Sequence, residues 1–245
     1  MEYFCETTNT IADGNGFAAF DMLHVCWLIL FAGLSIFFCI WYRRMSEQGK
    51  NRWRKVIAIL LAADEIFKQV CLIAFGRWLP EYLPLHLCSI NIFLIVWHVW
   101  KPNAVLGNFL YTVCIPGALA ALLFPSWTAL PLMNFMHLHS FTVHILLAMY
   151  PIVLAVGGGI RPDVKQLPKC LLVLVILAGI MWVINPWLDA NFFFMAEAGS
   201  GNPLEWFAIN WGNHLYGFPI LVSAIILVMH GPVILFRNLK KKVSS

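Results

Sequence analysis

The sequence predicts an all-α polytopic membrane protein, with seven transmembrane helices that form one domain over residues 1–245. The chain is 61% hydrophobic and only 11% charged, whereas soluble domains carry about 25% charged residues. Several apolar runs are also long enough to cross a hydrocarbon core of about 30 Å. These runs lie at about 21–42, 55–76, 83–100, 104–124, 135–157, 168–188 and 215–236.

Lysines and arginines concentrate in alternate predicted loops, and such loops remain in the cytoplasm. The basic segments are Arg43 to Lys55, Lys101, Arg161 to Lys169 and the tail from Arg237 to Lys242, whereas the other loops contain only Arg77. We therefore expect a multi-pass protein of the cell membrane, with its N-terminus outside and its C-terminus cytoplasmic. Basic loops of this kind contact anionic headgroups, so no nucleic acid is expected as a partner.

The seven cysteines contain no CxxC pair, and most lie within apolar runs. This spacing excludes a disulfide framework and a structural zinc site. Phosphate-binding motifs of the GxxxxGKS and GxGxxG types are absent, which argues against an ATP-driven pump. We therefore expect no cofactor and no metal.

The third predicted helix, LPLHLCSINIFLIVWHVW, carries polar residues that are costly in hydrocarbon and usually face a bundle interior. At about 100° per residue, Cys88, Asn91 and His98 share one stripe, whereas His86 points the other way. Of the cysteines, Cys88 alone has polar neighbours. Because a thiol reacts as its thiolate, a nucleophilic Cys88 needs a base from another helix.

The fifth predicted helix supplies candidate bases in the segment MNFMHLHSFTVH. His137 and His144 share a face, whereas His139 lies opposite. By depth His139 should be nearest to Cys88, with His144 about one turn lower, so either histidine is a candidate catalytic residue. We expect one of them to lie within about 6 Å of the Cys88 sulfur.

The second predicted helix contains four polar residues, Asp64, Glu65, Lys68 and Gln69. Asp64 and Lys68 are one turn apart and could neutralise each other. Glu65 and Gln69 would then face the interior as candidate substrate-binding residues.

The outer segment from Asn185 to His214 is long and aromatic, which is typical of an interfacial belt or of a lid over a lipid-facing site. Asn185 and Asn191 could donate amide hydrogen bonds to an oxyanion. The candidate substrate-binding residues are thus Asn91, His86, His137, Gln69, Glu65, Asn185 and Asn191.

At LPLHLCSINIFL (83–94), together with the histidines His139 and His144 and the segment from Asn185 to Phe194, the chain resembles the bacterial YwaF family. It is similar, more distantly, to the eukaryotic transmembrane-protein-164 acyltransferases of ether phospholipid remodelling. In those acyltransferases a cysteine on an early helix and a histidine on a later helix are thought to act together. The resemblance implies that Cys88 acts with His144 or His139 on membrane phospholipids.

Two functions of different classes follow from these features. In the first, Cys88 attacks a lipid acyl ester near the headgroup boundary, a fifth-helix histidine moves the proton, and asparagines stabilise the oxyanion. The alternative is a small-solute carrier or receptor with a polar His/Glu core along the membrane depth; an assembly role is a third. Both a transferase and a hydrolase fit the sequence, and so does any oligomeric state.

The orientation gives a first testable prediction. A reporter that is active only in the cytoplasm should be inactive when fused after Asn202, because this position lies in an outer loop. The same reporter fused to the tail should be active. Cytoplasmic activity after Asn202 would show that the orientation is wrong.

Overall fold

The computed structural model describes residues 3–12, 14–199 and 202–243, with side chains described up to residue 235. The predicted basic tail from Arg237 to Lys242 therefore lies outside the described side chains. The regular elements of the described chain are helices, without strands. The α-helices are α1 (Met22–Arg44), α2 (Glu47–Ala74), α3 (Leu87–Trp100), α4 (Ala104–Phe109), α5 (Ile115–Leu123), α6 (Phe135–Val156), α7 (Leu167–Leu188), α8 (Pro203–Trp211) and α9 (Gly217–Val243).

Six helical segments of the described chain are long and apolar enough to cross a membrane, and each coincides with a predicted span. They are Met22–Arg44, Pro80–Trp100, Ala104–Leu123, Phe135–Val156, Val164–Leu188 and His214–Leu235. The protein is therefore a multi-pass membrane protein. The remaining predicted span forms the 28-residue helix α2, but charged residues interrupt its apolar stretch, so the expected number of seven is not confirmed.

Helix α6 lies at the centre of the bundle and packs against α1, α2, α3 and α5. Of its 22 residues 14 are buried, against three of 22 in α7. The α6 helix begins where the Asn134 side chain accepts hydrogen bonds from the amides of Met136 and His137. It ends at Gly157, where the Tyr42 ring would lie 2.5 Å from an added Cβ. The helix with the most buried residues is thus capped at its start and closely packed at its end.

Helix α3 begins four residues later than the sequence predicts. Pro84 restricts the preceding Leu83 to extended backbone, and the Leu85 amide donates to the Leu83 carbonyl in a tight turn (2.7 Å). The helix starts only after His86, which is extended. As a result, Cys88 is the second residue of a helix of about 21 Å.

The fourth predicted span contains a π-helical turn, Leu110–Cys114, between α4 and α5. Pro116 lacks the amide hydrogen that would continue α-helical bonding through this turn. The turn connects to α9, because the Tyr111 hydroxyl donates to the Met229 carbonyl (2.7 Å) and the Thr112 hydroxyl lies 2.9 Å from His230 Nε2.

The segment before α1 packs against the loop between α5 and α6, at the bundle end where α6 begins. The Phe17 amide donates to the Thr128 carbonyl (2.8 Å), and the Phe135 amide donates to the Phe4 carbonyl (3.1 Å). Glu6 pairs with Arg77 (2.8 Å). A hydrogen bond from the Thr10 hydroxyl lowers the pKa of the Glu6 carboxyl, and the positive charge of Arg77 lowers it further. This bundle end is therefore covered by the N-terminal segment.

Gly16 permits this close approach, and its substitution is the second prediction. An added Cβ would lie 1.8 Å from the Thr128 carbonyl oxygen. We expect Gly16→Ala to release the segment before α1, to cost about 1–3 kcal/mol and to accelerate amide hydrogen exchange over residues 14–20. Gly33→Ala is the matched control, because an added Cβ there meets nothing within 4 Å. Equal exchange in both variants would contradict the argument.

Candidate active site

Cys88 and His144 meet between α3 and α6. The Cys88 Sγ lies 3.2 Å from His144 Nε2, within the expected 6 Å. His144 Nδ1 lies 2.6 Å from the Ser140 carbonyl oxygen, which can only accept, so Nδ1 carries the ring proton. The Nε2 lone pair is thereby left to accept the thiol proton. This is the arrangement that a cysteine nucleophile and its base require.

Trp127 fixes the plane of the His144 imidazole. The two rings stack with their centroids 5.3 Å apart and their planes inclined by 10°. Trp127 is itself buried in the loop between α5 and α6. With the Ser140 carbonyl on Nδ1 and the indole against its face, the imidazole is held toward the sulfur. Such restraint contributes to a preorganised site.

The first turn of α3 adds an electrostatic feature beside the thiol. The backbone amides of Leu87, Cys88 and Ser89 have no carbonyl partner within the helix, and the side chain of the N-cap residue His86 makes no capping hydrogen bond to them. The positive end of the helix therefore lies at Cys88, where it favours a negative charge on the sulfur or on a bound oxygen.

His139 has a different set of partners from His144. Its Nδ1 lies 3.1 Å from Asp64 Oδ2, and its Nε2 lies 4.0 Å from Glu65 Oε2. The expectation that His139 is nearest to Cys88 was wrong, because it assumed that α3 starts at residue 83. With the helix starting at Leu87, the sulfur lies level with His144.

The charged residues of α2 do not pair as expected. Lys68 contacts Glu65 (2.6 Å) rather than Asp64, and both side chains are less than a tenth exposed. Gln69 donates to Glu65 Oε1 (3.0 Å) and to the Tyr82 carbonyl (2.6 Å). Asp64 instead turns toward His139 on α6. The result is a buried polar cluster of Asp64, Glu65, Lys68, Gln69 and His139, hereafter the α2 cluster.

His137 and His86 both contact the protein rather than an open site. His137 Nδ1 lies 3.0 Å from the Leu130 carbonyl, and its Nε2 accepts from Trp27 Nε1 (3.1 Å). His86 Nε2 lies 3.2 Å from the Glu81 carbonyl. The structure therefore gives both of these predicted substrate-binding histidines structural contacts.

Asn185 and Asn191 build the loop after α7. The Asn185 amide donates to the Phe192 carbonyl (3.0 Å) and accepts from the Phe192 amide (2.9 Å). Asn191 donates to the Glu197 carbonyl (2.9 Å). One N–H of each amide is thus used inside the loop, and this gives both asparagines a structural contact.

The loop after α7 covers the start of α3, which favours the predicted lid over the predicted belt for this part. Phe192 and Phe193 are buried against Leu83, Leu85 and Leu87. In α8, by contrast, Trp206 and Trp211 are half exposed, as in a belt. A pocket of about 560 Å³ lies beside this loop, lined among others by Glu81, Asp189 and Glu197; neither Cys88 nor His144 lines it.

The other predicted polar residues of α3 differ in their contacts. His98 lies at the far end of the helix, where its Nδ1 is 2.9 Å from the Tyr150 hydroxyl. Asn91 is buried, and its Oδ1 has no hydrogen-bond partner among the described residues. Within the same described residues, no three His, Cys, Asp or Glu side chains form a group that could hold a metal ion.

Two contributions to the site were not found in the sequence. The uncapped first turn of α3 had a signal, because Pro84 precedes Cys88 and disfavours helical backbone at Leu83. Trp127 had none, since it is one of 11 tryptophans in the chain and lies in no recognisable motif. Its contact with His144 depends on tertiary packing.

These features define an all-helical multi-pass membrane protein with a cysteine and a histidine in hydrogen-bonding contact inside the bundle. The profile of the TMEM164 family matches residues 19–230. The chain therefore belongs to the TMEM164 family, and the match includes both Cys88 and His144. No curated protein and no solved structure matches the chain.

The α2 cluster gives the third prediction. Glu65→Gln should lower the free energy of unfolding by about 3–5 kcal/mol, because it leaves the Lys68 ammonium buried without its carboxylate. The matched control is Glu65→Leu combined with Lys68→Leu, which removes both charges and should remain near wild-type stability. Thermal unfolding in detergent measures both. A double variant less stable than the single variant would contradict this account.

Proposed function

We propose that this protein is a membrane-embedded, thiol-dependent acyltransferase or lipid hydrolase that acts on the acyl esters of membrane phospholipids. The observation that carries the proposal is the 3.2 Å contact between Cys88 Sγ and His144 Nε2, with His144 Nδ1 held on the Ser140 carbonyl. The resemblance to acyltransferases of ether phospholipid remodelling, which the family membership supports, points to the same chemistry.

In the proposed first half-reaction, the Cys88 sulfur attacks the ester carbonyl carbon while the thiol proton passes to His144 Nε2. A sulfur–carbon bond forms, and the carbonyl π electrons move onto oxygen. When the oxyanion collapses, the bond to the lipid oxygen breaks and His144 returns the proton to this leaving oxygen. The products are an acyl thioester on Cys88 and a lysolipid.

In the second half-reaction, a hydroxyl group attacks the thioester carbon and His144 accepts its proton. The carbon–sulfur bond breaks, and the proton returns to the Cys88 sulfur. A lysolipid hydroxyl as acceptor makes the protein a transferase, whereas water makes it a hydrolase. The same two side chains serve both outcomes, because the acceptor alone differs.

The proposal includes α2 as a seventh transmembrane helix in the cell membrane. Its outward surface is apolar, since Ile59, Ile66, Val70 and Ile73 are exposed, whereas the charged Glu65 and Lys68 are buried. A helix that spans hydrocarbon needs this distribution, with apolar side chains outward and charged side chains buried. With seven spans, the N-terminus lies outside and Cys88 lies in the outer half of the bundle.

We also infer that, within the TMEM164 family, this chain is most similar to the bacterial YwaF proteins. This inference rests on the segment LPLHLCSI.

The competing function is a carrier or receptor. The buried α2 cluster favours it, because buried titratable groups in a membrane often couple ions or solutes. A carrier needs no covalent step, so thioester formation distinguishes the two functions.

The fourth prediction is that the purified protein forms a thioester with a fluorescent acyl phospholipid, which hydroxylamine removes. Cys88→Ala and Cys88→Ser should abolish it, because a serine hydroxyl is a far weaker acid than a thiol. His144→Ala should slow it by about 10²–10⁴-fold through loss of the base. Lipidomics of a deletion strain that carries each variant measures the same loss in cells.

Two controls accompany these variants. Cys114→Ala removes another buried thiol, which contacts the Leu147 carbonyl, and should leave thioester formation intact. His139→Ala removes the partner of Asp64 and should lower stability rather than slow acylation of the folded protein. If Cys88→Ser and His144→Ala both restored the wild-type lipid profile, the carrier would replace the acyltransferase.

A further inference from the structure

We propose that the side-chain amide of Asn91, with the first backbone amides of α3, forms the oxyanion site for the tetrahedral intermediate on Cys88. This inference rests on the proposed thiol chemistry and assigns a residue to a step that Cys88 and His144 do not perform. Neither of them can donate to the ester oxygen while the thiol proton moves between them.

The first observation is that Asn91 differs from the other buried asparagines of the described chain. Asn108 donates to the Ala104 and Arg161 carbonyls, Asn134 donates to the Tyr3 and Glu6 carbonyls, and Asn185 donates to the Phe192 carbonyl. Asn91 is only 2% exposed, yet within the described residues no hydrogen-bond partner is found for its amide oxygen, Oδ1. Buried amides without partners are rare, and each requires an explanation.

The second observation is the position of Asn91. It follows Cys88 by three residues, so the two side chains share a face of α3, with Cβ atoms about 5–6 Å apart. Side chains on a helix lean toward its N-terminus, which brings the Asn91 amide over the preceding turn and thus toward the sulfur. An ester carbon bonded to Sγ would hold its oxygen within reach of this amide.

The first turn of α3 provides donors of the same kind. The amides of Cys88 and Ser89 have no carbonyl partner within the helix, and the helix N-terminus favours negative charge. The Asn91 amide can present its NH₂ end to the same region, since the oxygen and nitrogen ends exchange by a half-turn of the side chain. Three fixed donors would then converge where the negative charge develops.

Such donors act only while the oxyanion exists. The oxygen of the ester carbonyl becomes an anion when the sulfur attacks and loses this charge when the leaving oxygen departs. An amide donates to this oxygen without itself changing protonation. Removing one oxyanion donor typically lowers the rate by about 10²–10³-fold.

The fifth prediction compares two reactions of the same thiol. Asn91→Leu should slow thioester formation from the fluorescent phospholipid by about 10²–10³-fold. Alkylation of Cys88 by iodoacetamide should proceed at the wild-type rate, because the sulfur displaces iodide and no oxyanion forms. Asn91→Asp should lose at least as much acylation as Asn91→Leu, since a carboxylate repels the developing charge.

Asn108→Leu is the matched control for loss of a buried amide. It removes hydrogen bonds within the protein, so it should lower the unfolding temperature without slowing acylation of the folded protein. Asn91→Leu, by contrast, should not lower the unfolding temperature. Unchanged acylation in Asn91→Leu would overturn the inference and leave the proposed function standing. Equal loss of acylation and alkylation would also overturn it, because Asn91 would then position the thiol. A wild-type protein that forms no thioester would overturn the proposed function itself.

Discussion

Helix α6 supplies hydrogen-bond partners that hydrocarbon cannot provide. The positions of the neighbouring helices α1, α2 and α3 depend on these hydrogen bonds. His137 accepts from Trp27 of α1, His139 contacts Asp64 of α2, and His144 contacts Cys88 of α3. Further along the helix, Tyr150 contacts His98 of α3. A polar side chain in a membrane is costly without a partner, so each contact fixes the register of one helix against α6.

The buried polar groups fall into those that stabilise the bundle and those that do not. Lys68 and Gln69 both contact Glu65 Oε1, and His137 uses both ring nitrogens within the protein. The Asn91 Oδ1 instead has no hydrogen-bond partner among the described residues, at the position where the proposed chemistry needs a donor. Functional sites commonly retain such unsatisfied groups at the expense of stability.

Composition and periodicity predicted most of the fold, because hydrocarbon length and backbone satisfaction leave few alternatives to apolar helices. They also gave Cys88 and two histidines as candidate site residues. The selection of His144 over His139 could not be predicted, since it depends on where α3 begins and on the contact between His144 and Trp127. The partner of Lys68 likewise depended on side-chain packing against α6, which helical spacing alone does not determine.

The non-helical turn before α3 has a consequence for the competition between the two possible acceptors. Irregular backbone at membrane depth requires cover by protein or water, and here Phe192 and Phe193 cover Leu83, Leu85 and Leu87. In the proposed reaction, an acyl group on Cys88 would lie directly after this covered turn, where water is scarce. Spontaneous hydrolysis would be slow, and the acyl-enzyme would persist until a lipid alcohol diffused in laterally. Such a long-lived intermediate favours exchange of acyl chains between lipids over their release as free fatty acids.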